Sequence, residues 1–336
     1  MARLFDNDDP DASQGFKNIK NAPADSPGGQ IREGLEQLWS RFEPYADKEF
    51  VKEFGRHPEE RFWEMYLGNR LLEGRKALRK RSQLPKSERD EGPDFCIQKG
   101  RRKIWIEVIA PSPGDENNLD KIPDLFVSGT DIESRRKIEL RIASALKTKT
   151  DKFTRYREKG IIGPTDSCVV AIAACQFALE ADAEGDAEPP LPITTVFPFG
   201  EEVVTIDPET AEFTSLSHKY SGEIERAKKE GKKLDAVRRT AFQNEYFAGI
   251  DGLIWSHRST GNFLGNTDDL VFVHNQLAKH PLPKGWLARL EEGILSGRRR
   301  QEALSPYTQN VAPYGGESRA DEAFLRGYTL HRCADV

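Results

Sequence analysis

The run Ser167 to Gln176, SCVVAIAACQ, constrains the fold more than any other stretch of the chain. Its apolar residues are contiguous rather than alternating, and its length suits a strand. A strand of this kind is buried on both faces, which a sheet achieves when helices cover it on each side. The run therefore predicts the centre of a sheet in an α/β domain. Two helices with broad apolar stripes flank it in the expected order. Pro58 to about Arg81 carries Phe62, Trp63, Tyr66, Leu67, Leu71 and Leu78, and Ile132 to Lys159 carries Ile138, Ile142, Ala145, Leu146, Phe153 and Tyr156.

Between these helices, residues 92 to 114, GPDFCIQKGRRKIWIEVIAPSPG, read as a β-hairpin. Asp94 opens it, Lys99 to Arg102 makes the turn around Gly100, and the return strand Lys103 to Ala110 brings Glu107 back beside Asp94. Trp105, Glu107 and Ile109 alternate onto one face. A carboxylate on an apolar strand costs desolvation energy unless a cation meets it, and two that converge suggest a divalent metal. The second helix offers a cation as well. At 100° per residue Lys149 falls between Ala145 and Phe153 on the apolar stripe, Lys152 takes its edge, and Lys147 points away. A lysine so placed either reaches out to the rim or meets a buried anion. On the first helix Glu60 and Glu64 share one edge of the stripe, facing either water or a site beside the hairpin.

The chain has 336 residues and a net charge of -5, with 37% hydrophobic and 31% charged residues, a globular composition. The charge is uneven: residues 70–103 hold twelve Lys and Arg against five Asp and Glu, and residues 133–160 hold ten against four. Local sign, rather than the total, decides whether a polyanion can dock. The longest apolar run, Cys168 to Cys175, is far short of a membrane span, and the acidic N-terminus is unlike a signal peptide, so a cytoplasmic protein without a membrane partner is expected. Cys96, Cys168, Cys175 and Cys333 lack the spacing of a zinc site and read as buried thiols. Residues 1–30 read as a flexible leader and 31–296 as one domain with insertions at 177–192 and 216–245, followed by a tail at 297–336. Further strands are expected at Thr194 to Phe199, Val203 to Ile206, Ala211 to Ser215, Gly252 to Ser256 and Leu270 to His274, and a closing helix at Gly285 to Leu295.

GPDF, followed after twelve intervening residues by Glu107 in IWIEVIAP, resembles the PD-(D/E)xK, or restriction-endonuclease-like, nuclease superfamily. The resemblance covers roughly Pro58 to Gln176 as an order of elements. It implies a restriction-endonuclease-like α/β core, a central mixed β-sheet flanked by helices, and metal-dependent hydrolysis of phosphodiester bonds, first of all in DNA. Asp94 matches the PD aspartate, Glu107 the acidic residue of the (D/E)xK part, and Glu64 the acid often carried on the first core helix. The three would hold Mg2+ or Mn2+, hard cations that prefer oxygen ligands. The motif lysine's position is occupied by Ile109. Some members supply that lysine from the following helix, which makes Lys149 the candidate for orienting the attacking water. Lys152 and Tyr156, at K-x-x-x-Y spacing, resemble a glutamine–tyrosine pair of exonuclease-like members, and with Arg141 they are the expected contacts to nucleic acid. The alternative is a catalytically inactive relative that binds nucleic acid or protein.

Overall fold

The computed structural model describes residues 3–115, 118–122, 132–177, 191–226, 236–265, 270–282, 286 and 330–332. The helices are α1 (Gln14–Lys20), α2 (Pro27–Phe42), α3 (Phe50–Arg56), α4 (Pro58–Glu73), α5 (Lys86–Glu91), α6 (Ile132–Glu158) and the single turn α7 (Leu191–Thr194). The strands are β1 (Phe95–Lys99), β2 (Arg102–Ile109), β3 (Ser167–Ala173), β4 (Phe199–Ile206), β5 (Phe213–Tyr220), β6 (Glu223–Ile224), β7 (Val237–Arg238), β8 (Gly252–Ser256), β9 (Val271–His274) and β10 (Leu330–Arg332). The main sheet runs β1-β2-β3-β8-β9-β10. It is mixed: β2, β3 and β8 are parallel, and β1, β9 and β10 pair antiparallel to their neighbours.

Every residue of β3 is buried, as its unbroken apolar run requires. Alternate side chains feed two separate cores. Val169, Ala171 and Ala173 join Trp63, Leu67 and Leu71 of α4, while Cys168, Val170 and Ile172 join Ile142, Leu146 and Phe153 of α6. The Trp63 indole N–H donates to the Ala171 carbonyl at 3.2 Å, which ties α4 to the sheet centre. The chain is thus an α/β protein with a central mixed sheet between helices. Among the described residues no helix is long and apolar enough to cross a membrane.

Several expectations need correction. The leader expected to be flexible over 1–30 is packed from residue 3 onward: Leu4, Phe5, Ala12 and Phe16 are buried against the core. Few large apolar residues lie there, but they are well placed. Phe16 stacks on Phe5 at 5.1 Å and meets Phe54 edge-on at 6.1 Å, and Arg56 pairs with Asp9 at 2.8 Å. Ser13 and Ser26 cap α1 and α2. Phe16→Ala is expected to destabilise the protein by about 3 kcal/mol in urea denaturation; a change within error of zero would mean that this segment does not fold with the domain. The helix from Pro58 ends at Glu73 instead of continuing to Arg81, because Arg75 turns to φ +51° and Leu78 then bridges to Ile97 at the edge of the sheet. Thr194 to Phe199 is no strand: Leu191–Thr194 forms a buried helical turn, and extended structure begins at Phe199. Its apolar residues fill a gap in the core as a plug, which period counting cannot distinguish from a strand. The 216–245 stretch contains the end of β5 and the β6–β7 pair, both outside the main sheet. Most of the 177–192 insertion, of the closing helix and of the 297–336 tail lies outside the described residues, but Leu330–Arg332 of that tail joins the main sheet beside β9.

Where β3 meets β8, Asp251 accepts the Cys168 amide at 2.5 Å, and its other oxygen has no hydrogen bond, with Arg102 at 3.8 Å. Burial pushes its carboxyl up to about 7, against the pull of the Cys168 amide, Arg102 and Arg157. The ordinary value is about 4, so from there to pH 7 the folded protein keeps a proton that the unfolded chain has released. Stability from this group therefore falls as pH rises through that window. Asp251→Asn is expected to make the decline between pH 4 and 8 smaller by on the order of 3 kcal/mol, Glu64 keeping its own share. Parallel urea curves for wild type and variant across that range would contradict it.

Candidate active site

The hairpin register places the two acids. Phe95 pairs with Ile106, so one step further Asp94 stands across from Glu107. Directly opposed side chains in such a pair lie within about 5 Å, and like charges there repel. Gly100 closes the hairpin at φ +61°, a conformation that favours glycine. Val108 donates its amide to Asp94 Oδ2 at 2.7 Å, which fixes the aspartate at the mouth of the hairpin. Asp94 Oδ1 accepts no hydrogen bond from the described residues.

Glu107 is 1% exposed and faces α6. Three side chains of that helix close on it. Lys149 Nζ donates to Oε2 at 2.5 Å, Lys152 Nζ to the same oxygen at 3.2 Å, and Tyr156 Oη to Oε1 at 2.7 Å. Residues 149, 152 and 156 share one helical face at i, i+3 and i+7 spacing. The stripe argument for Lys149 and the K-x-x-x-Y spacing thus bring these side chains to the expected carboxylate. Burial opposes the charge of Lys149, but Glu107 and Asp94 more than compensate and hold its pKa above the ordinary lysine value. Asp94 is pushed up by burial and then by the Glu107 charge, with Lys149 pulling the other way. Burial, then Glu107, pushes the Tyr156 hydroxyl well above the usual range.

Glu64, on α4, is buried, and its carboxyl is pushed up to about 7, first by burial and second by the Asp94 charge; Arg61 opposes both. Arg61 Nη1 reaches Glu64 at 2.8 Å and Asp47 at 3.2 Å. Sequence reading missed Arg61 and Asp47. Arg61 could have been found, since it precedes Glu64 by three residues on the same helix face. Asp47 lies in an irregular stretch with no local signal. Glu60, the other acid considered on α4, is exposed.

Arg141 stands two turns before Lys149 on α6, a rise of about 12 Å. Its guanidinium lies against Gly114, where a β-carbon would collide with it, and Nε and Nη2 are buried without a hydrogen-bond partner. It lies near the C-terminal end of the hairpin, apart from the Glu107 cluster. The cysteines give no site: burial raises Cys96 and Cys168 to about 12 and Cys175 well above the usual thiol value, while Cys333 is outside the described residues. Among the described residues no group of three or more His, Cys, Asp or Glu is close enough to form a metal cluster. The donors at the hairpin are nonetheless hard carboxylate oxygens, one of them open, which suits Mg2+ or Mn2+ better than a thiophilic metal. No protein-family model, curated protein or solved structure matches the chain.

Proposed function

We propose that the chain is a metal-dependent nuclease with a restriction-endonuclease-like PD-(D/E)xK core, hydrolysing phosphodiester bonds in DNA. The observation that carries this reading is the inward lysine. Ile109 occupies the motif position, and Lys149 from α6 reaches Glu107 at 2.5 Å, across the hairpin from Asp94. Asp94 and Glu107, with Glu64 behind them, would hold Mg2+ or Mn2+. Such an ion activates a water molecule and offsets charge on the phosphoryl oxygens. Lys149 orients the attacking water and stabilises negative charge as it develops. Tyr156 and Lys152 hold the Glu107 carboxylate in place. The basic α6 face carrying Lys152, together with Arg141, guides the phosphate backbone.

Incubation with single-stranded DNA, duplex DNA and RNA in Mg2+ or Mn2+ tests the proposal. Cleavage that requires metal and disappears in Asp94→Ala and Glu107→Ala is expected. No cleavage of any substrate, or cleavage that survives both substitutions, would refute it. One observation favours a second reading, a silent nucleic-acid-binding relative: Glu107 is already satisfied by Lys149, Lys152 and Tyr156 without any ion. That reading expects salt-sensitive DNA binding that is indifferent to Asp94→Ala.

A further inference from the structure

We propose that Arg141 anchors a phosphate of the substrate strand other than the one cleaved, so that the site takes polynucleotides in preference to dinucleotides. The inference rests on the nuclease reading for the identity of the ligand. What carries it is an arginine without a partner. Among the described residues six arginines hold an Nε that is buried and makes no hydrogen bond. Five of them, Arg70, Arg81, Arg102, Arg239 and Arg258, give another nitrogen to a carboxylate, a hydroxyl or a carbonyl. Arg141 gives none, and its Nη2 is buried and unbonded as well. Taking N–H donors from water without a replacement bond costs free energy, so a charge held in this way calls for an explanation outside the fold's own bonding.

The surroundings favour an anion from outside. The guanidinium lies against Gly114, whose φ of +105° and missing β-carbon let the loop after β2 pass close to it. Of the described acids in that loop, Asp120 turns to Arg136 at 3.0 Å and Asp115 does not pair with Arg141. Position along the helix says which phosphate is meant. Arg141 and Lys149 stand about 12 Å apart along α6, too far to share one phosphate group. Thr148 and Lys152 continue the helix edge that Arg141 begins, and the nearest acid of that stretch, Asp151, turns to Lys147 at 3.0 Å. Gly114 follows the carboxyl end of β2, the strand that carries Glu107, so Arg141 and the two acids lie toward the end of the parallel strands where open α/β sheets take ligands. A dinucleotide has a single phosphate, and the carboxylates with Lys149 engage it. A longer strand brings a second one to Arg141.

Arg141→Met in the full chain tests the assignment. Binding of a labelled oligonucleotide in EDTA, where metal-dependent cleavage is stopped, should weaken by about tenfold, and the slope of log affinity against log salt should shrink by about 1. With Mg2+, the wild type should cleave an oligonucleotide with a kcat/KM at least about tenfold above that for a dinucleotide, and the variant should lose that advantage. Replacing one linkage at a time by an uncharged methylphosphonate should reveal a linkage, away from the cleaved one, that matters to the wild type and not to the variant. The melting temperature of the DNA-free variant should hold or rise, because a half-buried charge without a partner is gone. A variant that binds DNA in EDTA as the wild type does, with the same salt slope, would overturn the proposal whether or not the wild type cleaves. A lower melting temperature, or methylphosphonate interference confined to the cleaved linkage, would overturn it equally. Arg141-dependent binding in EDTA by a wild type that cleaves nothing would keep the phosphate contact and refute the nuclease reading alone.

Discussion

Glu107→Gln is expected to lower DNA cleavage by a factor on the order of 10³, corresponding to loss of several kcal/mol of metal-derived stabilisation. The side chain keeps its size, its single amide oxygen can still accept from Lys149, and its NH2 can donate to the Tyr156 hydroxyl oxygen, so the fold should persist. What it loses is the negative charge facing the space shared with Asp94. DNA affinity should hold or rise, because a repulsive charge has been removed from beside the basic face of α6. Cleavage kinetics and a filter-binding isotherm on the same preparations separate these effects. A variant that cleaves at the wild-type rate would detach Glu107 from the chemistry. One that neither cleaves nor binds would point to misfolding, which its melting curve would show.

Lys149→Met is expected to destabilise the metal-free protein by about 3 kcal/mol, because it leaves a buried carboxylate without its principal cation. Glu107 would retain only Lys152, which is substantially exposed, and the Tyr156 hydroxyl. The same substitution removes the group assigned to orient water, so cleavage should fall by about 10²-fold or more. A third consequence joins the two. If Asp94 and Glu107 bind a divalent cation, Mg2+ should raise the melting temperature of Lys149→Met more than that of wild type, since the ion replaces the missing charge. A variant as stable as wild type and indifferent to Mg2+ would mean that the Lys149–Glu107 contact contributes neither stability nor an ion site.

How much was legible in the sequence depended on how strongly each segment was patterned. The expected helix from Ile132 to Lys159 differs from α6 by one residue at its end, because its apolar stripe is long and regular. β3 and β8 were legible for a related reason, as short apolar runs bounded by turn-forming residues. The hairpin register, and with it the opposition of Asp94 and Glu107, followed from the turn at Gly100. The inward turn of Lys149 came from angle alone, with no motif at its side. Packing of residues 3–30 was illegible because its worth lies in where a few aromatic rings land, and composition averages that away. The plug at Leu191–Thr194 looked like a strand because buried apolar residues carry no period. Arg61 was within reach as the helix neighbour of Glu64, but Asp47, which pairs with Arg61, comes from an irregular segment that only folding brings beside α4. Strands were expected near β4 and β5, yet nothing in their alternation told that they form a ribbon apart from the main sheet.

The central claim is that Asp94 and Glu107 form one divalent-cation site completed by a lysine from α6. Titration of the protein with Mn2+, followed by electron paramagnetic resonance of the free ion, tests it most directly. The account predicts saturable Mn2+ binding in the wild type, competed by Mg2+, and lost in the Asp94→Asn, Glu107→Gln double variant while its melting curve stays cooperative. Mn2+ binding that persists undiminished in the double variant, or no saturable binding in the wild type, would contradict it.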